Sequence, residues 1–368
     1  MVKLASPEKI RSWSFGEVKI PDTVKFGSFK PVKGGLFCKD IFGPIRILDC
    51  LRCRYKGKRT GISCDSCKFR DKQEFSDQRF GNIELSMPIV NYWFQTKLSE
   101  LFYTLIDLSE ITVEKVLTYK GYIVLNPGSY KCEFKDILDP KQLDEIKRSS
   151  PDRIRFSLGM NDEQIRLLLE DYKNRPMLPM IGIGPDAIYW LLNVVDTETI
   201  SGELSDKIRL LSTSSNEDKI RLQEKVSLID AFEELDNKPE LIMLSNIPVS
   251  PISLRAITPK GVWYDSPKLN QLYAQVIRIN NRLASFSDSA QVLIRSTRKE
   301  LQTSVNMLFD HLDRMLCDEL QKLRQTPEDI MVTTRIRHIL MALGIDAEDN
   351  SFFYNWIENA ITIYPHQS

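Results

Sequence analysis

The sequence predicts a multi-element α+β chain, and three observations predict it. Short apolar runs at 83–90 and 122–125 are interspersed with stretches of helical spacing. Two heptad seams lie close together in the last third of the chain. A basic, cysteine-rich segment at 46–75 has almost no apolar periodicity and separates an extended N-terminal stretch from the first of those runs.

Length and composition set the frame. A chain of 368 residues has room for two or three domains at roughly 100–200 residues each. A hydrophobic content of 42% is enough for a core and excludes wholesale disorder. The 50 basic and 50 acidic residues cancel, so any nucleic-acid contact has to come from local charge. No run approaches the roughly 18 apolar residues of a membrane span. The stretch 1–10 lacks the apolar centre of a signal peptide. A cytoplasmic chain with no membrane partner is expected, and its 7 cysteines are then reduced or metal-bound.

Each element follows from its local pattern. Residues 1–45 are rich in Pro, Gly and Lys and read as extended segments, with a tight turn at Lys33-Gly34-Gly35. Residues 46–75 cannot build a core and need another source of order. In the core segment, 76–244, the apolar stretch 92–108 reads as a helix. The stretch 162–172 reads as a helix behind an Asn/Asp cap, with Ile165, Leu168 and Leu169 on one face. The charges at 200–240 predict surface helices. Pro248, Pro251, Pro259 and Gly261 predict a loop over 245–265.

The segment 266–313 carries the clearest periodicity. Leu269, Leu272, Val276, Ile279 and Leu283 are spaced 3, 4, 3, 4, and Leu301, Val305, Leu308, Leu312 and Met315 are spaced 4, 3, 4, 3. Both are heptad seams. With the small polar link at 284–289 they predict an antiparallel helical hairpin. Its flanks are polar, with Arg278, Asn280, Asn281 and Arg282 on one helix and Arg295, Arg298 and Lys299 on the other. The hairpin is therefore expected to project from the body of the protein. In the tail, 314–368, the pattern weakens, and Phe352, Phe353, Tyr354 and Trp356 are expected to anchor a last helix.

The strongest chemical signal is Cys50-Leu51-Arg52-Cys53 with Cys64-Asp65-Ser66-Cys67, two C-x2-C pairs separated by 10 residues. Each pair places two thiolates one ligand edge apart, and two pairs complete a tetrahedral sulfur shell for Zn2+. All four positions are filled by protein, so the metal is structural and supplies the order that the segment lacks. Arg52, Arg54, Lys56, Lys58 and Arg59 face only Asp65 in charge. Against the charge of about −2 on a four-thiolate zinc site, the loop stays basic and suits phosphate contact. Cys132 and Cys317 read as ordinary small core residues. His311, His338 and His366 are too far apart in sequence to suggest a site.

The order of several blocks resembles a known family. Ala5-Ser6-Pro7-Glu8-Lys9-Ile10-Arg11-Ser12-Trp13-Ser14-Phe15-Gly16-Glu17-Val18 resembles the opening of the β′, or largest, subunits of bacterial multisubunit DNA-directed RNA polymerases. Phe29-Lys30-Pro31, Gly34-Gly35-Leu36-Phe37-Cys38 and Ile41-Phe42-Gly43-Pro44 continue the likeness. So do Gly81-Asn82-Ile83-Glu84-Leu85, Leu244-Ser245-Asn246-Ile247-Pro248-Val249, Leu254-Arg255 and Asn280-Asn281-Arg282-Leu283. The resemblance spans roughly residues 4–312, with gaps, and the four cysteines fall at that family's N-terminal zinc element.

The resemblance implies the clamp that closes over DNA in the main channel. On that reading 1–45 is an N-terminal clamp segment and 245–265 a lid-like loop, which helps to separate RNA from the template. The hairpin is then the coiled coil that docks a promoter-recognition, σ-like factor. Arg255 joins the basic loop as a nucleic-acid contact, and Arg278, Asn281, Arg282, Arg295 and Arg298 are the factor-docking candidates. DNA, nascent RNA, β-like chains and a C-terminal β′ fragment are the implied partners.

Departures from the family are informative. The Asn-Ala-Asp-Phe-Asp-Gly-Asp motif that holds catalytic Mg2+ does not occur in these residues. Nucleotidyl transfer needs that ion, so Mg2+ is expected on another chain of the assembled enzyme, and no catalytic residue is assigned here. The first cysteine pair is C-x2-C where relatives usually have C-x-C. Ala274 and Gln275 stand where arginines are usual, and Thr297 where a glutamate is usual. The tail resembles nothing in the family. These departures imply a divergent, split β′ subunit of the kind large bacteriophages encode, located in the host cytoplasm or the virion. The competing expectation is a free-standing zinc-binding regulator that mimics the clamp and sequesters an initiation factor.

Overall fold

The structure, a computed structural model, describes residues 1–25, 30–43, 49–50, 55–56, 79–128, 132–149, 155–157, 167, 170, 180–210, 216–260, 263–286, 290–326 and 329–363. In chain order the early elements are α1 (Pro7–Trp13), β1 (Ser14–Glu17), α2 (Lys39–Phe42), β2 (Asp49–Cys50), β3 (Tyr55–Lys56) and β4 (Phe80–Val90). Then follow α3 (Tyr92–Gln95), α4 (Ser99–Ile106), α5 (Glu110–Leu117), β5 (Tyr122–Asn126), β6 (Ile137–Leu138), α6 (Pro140–Ser149), β7 (Arg155–Ser157) and β8 (Met180–Gly182). The later elements are α7 (Pro185–Val194), α8 (Thr197–Leu210), α9 (Asn216–Glu233), β9 (Met243–Val249), β10 (Thr258–Lys260) and β11 (Trp263–Asp265). The chain closes with α10 (Lys268–Ala284), α11 (Gln291–Gln325), α12 (Ile330–Ala342) and α13 (Asn350–Ile363). The mixed α+β class is as expected.

The chain divides into two compact units. The first comprises Met1–Leu4, Ser86–Ser245 and Phe286–Gln302. Its sheet has the order β6-β5-β8-β7, with β5 antiparallel to β6 and β8, and β7 parallel to β8. Val124, Leu138, Leu143 and Ile181 form a core cluster there, and Cys132 packs against it half-buried. Helix α7 buries eight consecutive residues, from Pro185 to Leu192, so it is a central helix of this unit. Its N-cap, Gly184, has φ +76°, and a Cβ there would come within 2.4 Å of the Tyr119 ring. Only glycine fits both the conformation and the space. The charged helices α8 and α9 pack on each other, and α9 anchors Phe232 edge-on against Phe94. The apolar stretch 92–108 is two helices, because the Leu98 N–H turns back to the Trp93 carbonyl and a new helix starts at Ser99.

The second unit comprises Ala5–Leu85, Asn246–Ser285 and Thr303–Ser368. Helix α1 opens on a Ser6 side-chain cap with Pro7 in its first turn, the arrangement that satisfies orphan N–H groups. Strand β1 runs parallel to β4, pairing Ser14 with Phe80, in a sheet of order β1-β4-β9. The seam residues Leu269, Leu272, Val276, Ile279 and Leu283 are all buried in α10. Val305, Leu308 and Leu312 are buried in α11, and Gln275 Nε2 donates to Ser304 Oγ at 3.1 Å between the two helices. Beyond Leu312 the buried residue is Leu316 rather than the expected Met315, and Leu320 and Leu323 follow. A straight helix of 3.6 residues per turn drifts off a strict heptad in this way. Helices α12 and α13 add Ile336, Ile339, Leu340 and Phe353 to the core. Glu319 accepts from both Lys322 and Arg335 at 3.0 Å.

Two expectations are corrected here. The hairpin does not project as a bare two-helix seam. Besides the seam, α10 buries Asn270, Tyr273, Ala274, Ile277 and Asn280, so it is a core helix of the second unit. Asn270 and Asn280 are buried with their amides bonded, as when Asn280 Nδ2 donates to the Glu84 carbonyl at 2.8 Å. The proline-rich stretch 245–265 is not all loop. It contains the end of β9, a 3-10 turn at Ile252–Leu254 and the antiparallel pair β10–β11, with Pro259 opposite Tyr264. Strand β9 is at the edge of its sheet, where proline is tolerated. Most of the stretch 162–172 lies outside the described residues.

Candidate functional site

The cysteine segment is described only in part. Strands β2 and β3 pair antiparallel, Asp49 with Lys56 and Cys50 with Tyr55. Cys50 thus ends a strand, the position from which a C-x2-C turn departs. Cys53, Cys64 and Cys67, and the basic residues Arg52, Arg54, Lys58 and Arg59, lie outside the described residues. Lys56 is placed by its backbone in β3. The donor set itself, four thiols in two C-x2-C pairs, fits tetrahedral Zn2+ and leaves no position for a catalytic water.

Arg255 is elsewhere than expected. It is fully buried, so it offers no surface to a nucleic acid. Its Nε donates to the Ser250 carbonyl at 2.8 Å, and its Nη1 to the Leu36 carbonyl at 2.7 Å and to Asn270 Oδ1 at 3.1 Å. The guanidinium lies over the rings of Phe42 at 4.5 Å and Phe37 at 5.2 Å. None of these partners is a carboxylate. Burial lowers its pKa to about 10, against a smaller upward pull from Tyr273. The group therefore stays charged at neutral pH, held by neutral acceptors and aromatic faces.

The factor-docking candidates separate into two groups. Arg278, Asn281 and Arg282 are exposed on α10. With Gln271 and Gln275 they form its one exposed stripe, at i, i+4, i+7 and i+10/i+11. Asn281 Nδ2 also donates to the Lys19 carbonyl at 2.8 Å. Arg298 does not belong to any exposed face. Its Nη1 and Nη2 grip Asp186 Oδ2 and Oδ1 at 2.6 and 2.7 Å, and Nη2 also donates to the Pro88 carbonyl at 2.7 Å. Both side chains are buried, so direct docking by Arg298 is corrected to a packing role. Burial is the largest single influence and opposes the Arg298 charge, but Asp186 and Tyr119 together outweigh it and the pKa ends raised. Arg295 is half-buried, with its guanidinium 5.9 Å from the Tyr119 ring centre.

Comparison with known proteins decides the family. The family model of RNA polymerase Rpb1, domain 1, matches residues 1–325. The chain belongs to this RNA polymerase family. Among curated relatives, the β′ subunit of DNA-directed RNA polymerase from Thermodesulfovibrio yellowstonii is 36% identical over 318 residues, covering 85% of this chain and 21% of that protein. The β′ subunits from Pseudomonas paraeruginosa and Pseudomonas aeruginosa PAO1 are each 35% identical over 316 residues, covering 84% of this chain and 21% of theirs. The chain thus spans about a fifth of the length of the curated relatives it matches, and its likeness is to an N-terminal part of the β′ subunit.

Sequence reasoning missed two residues that organise this Rpb1-family chain. Asp186 follows Gly184-Pro185, a helix-start signal, but nothing local announces a partner 112 positions away. Asn270 bridges Arg255 and Ser266. A polar residue one position past a seam leucine was its only signal. Among the described residues, no helix is long and apolar enough to cross a membrane.

Proposed function

We propose that this chain supplies the clamp portion of a multisubunit DNA-dependent RNA polymerase, as a region without catalytic residues of its own. The observation that carries the reading is the family match over residues 1–325. Cys50, Cys53, Cys64 and Cys67 would hold a structural Zn2+, and Arg52, Arg54, Lys56, Lys58 and Arg59 would meet nucleic-acid phosphates. The β10–β11 pair is the lid-like element. The exposed stripe of α10, with Arg278, Asn281 and Arg282, docks a promoter-recognition factor. Arg295, half-buried in α11, is the remaining factor-docking candidate. Mg2+ and the chemistry of nucleotide addition belong to other polymerase chains, β-like and β′-like. The changes at Ala274, Gln275 and Thr297 favour a divergent enzyme, such as a phage-encoded one, with an unusual factor.

The test is reconstitution. The native complex is purified through this chain, its subunits are identified by mass spectrometry, and RNA synthesis is measured with the chain present and omitted. Copurification with β-like and aspartate-bearing chains, and loss of synthesis on omission, are expected. A chain found without polymerase partners, or one that inhibits an already active enzyme, would instead be a regulator that mimics the clamp.

A further inference from the structure

The buried pair Arg255 and Asn270 lies at the base of the β10–β11 hairpin and touches both of its feet. Arg255 precedes β10 by two intervening residues, Ala256 and Ile257, and Ser266 directly follows β11. Asn270 Nδ2 donates to the Arg255 carbonyl at 2.8 Å and to Ser266 Oγ at 3.2 Å, while its Oδ1 accepts from Arg255 Nη1 at 3.1 Å. One amide side chain therefore joins the incoming foot, the outgoing foot and the first turn of α10. The guanidinium extends the tie to the Leu36 and Ser250 carbonyls. Asn270 and Arg255 are 2% and 0% exposed, so water competes little for the bonds between them, while the Ser266 bond is part-buried.

A buried cation with no carboxylate partner is costly to keep. Its planar fork reaches three acceptors at once, 5, 15 and 219 positions away in the chain, which the single ammonium of lysine does not match. The fold tolerates this charge at a place where a hairpin meets its support. We propose that Arg255, through Asn270, is a positioning residue that fixes the orientation of the β10–β11 hairpin on α10. The hairpin's functional consequence rests on its reading as the lid-like element.

The experiment is amide hydrogen exchange on the full chain, comparing wild type with R255K and N270A. R255K keeps the charge and loses the fork. N270A keeps the guanidinium and removes the bridge between the feet together with one of the three Arg255 acceptors. Exchange of the β10 and β11 amides is expected to quicken about tenfold or more in both variants, with α7 and α12 within about twofold of wild type. Should R255K unfold the chain, N270A decides. An unchanged hairpin in N270A overturns the proposal, and so does uniform acceleration in every helix. A second arm places R255K in the native complex and measures RNA–DNA hybrid length beside the rate of nucleotide addition. A longer hybrid at an unchanged addition rate supports both readings. A loosened hairpin with a normal hybrid supports the positioning role and overturns the lid assignment instead.

Discussion

At the scale of single residues, charge was the property that local pattern could not place. Arginine on a helix flank is a surface residue by default, so Arg298 read as part of a docking face. The residue that buries it, Asp186, is 112 positions earlier, and the fork between them closes at 2.6 and 2.7 Å. Arg255 shows the same limit, since its Leu36 acceptor is 219 positions away. The Asp186–Arg298 pair makes a sharp prediction. Asp186→Asn leaves a buried guanidinium without its counter-charge and should destabilise the first unit by about 3–5 kcal/mol. Replacing both partners, as Asp186→Leu with Arg298→Met, should recover most of that loss, because no charge is then left unpaired. Denaturant unfolding of the single and double variants measures both. A single variant within about 1 kcal/mol of wild type would show that the pair carries little net stability.

At the scale of elements, periodicity named the helices but not their surroundings. Both heptad seams lie in helices and are buried except at Met315, with a short link between Ala284 and Gln291. A seam, however, reports one face. The second buried face of α10 includes Asn270 and Asn280, and Asn280 read as polar flank because its hydrogen-bond partner, the Glu84 carbonyl, is 196 positions away. The proline content at 245–265 likewise hid β10 and β11, two strands of three residues each. What remains exposed on α10 is narrow, and that restricts where a factor can dock. Charge reversal at Arg278 and Arg282 should lower affinity for the promoter-recognition factor about tenfold or more, chiefly through slower association. Elongation on a preformed scaffold should change little. The two are compared by factor titration and by scaffold extension on the same variant. Equal loss in both assays would remove α10 from the docking surface.

At the scale of the whole molecule, the proposed zinc segment would draw its order from a different source than the two units. The units bury extensive apolar cores, from Leu125 and Trp190 in the first to Phe80 and Phe309 in the second. Residues 46–75 show almost no apolar periodicity, but they hold four of the 7 cysteines. The cysteine spacing is legible in sequence because a metal site of the proposed kind is local, with two residues between the cysteines of each pair. Family identity was legible for another reason, since many short blocks occur in the family's order over roughly residues 4–312, and the family model matches residues 1–325. If the segment is ordered by metal alone, its loss should be separable from the rest. Cys64→Ser with Cys67→Ser should abolish stoichiometric zinc, and mild acid should release zinc from wild type, since the ligands must be thiolates. The far-UV helical signal, which comes from α7 to α13, should persist through both treatments. Protease cleavage should become faster within 46–75 and stay slow within the helices. Metal retained at full stoichiometry in the double variant would overturn the four-cysteine assignment. Collapse of the helical signal would show that the segment and the cores fold as one.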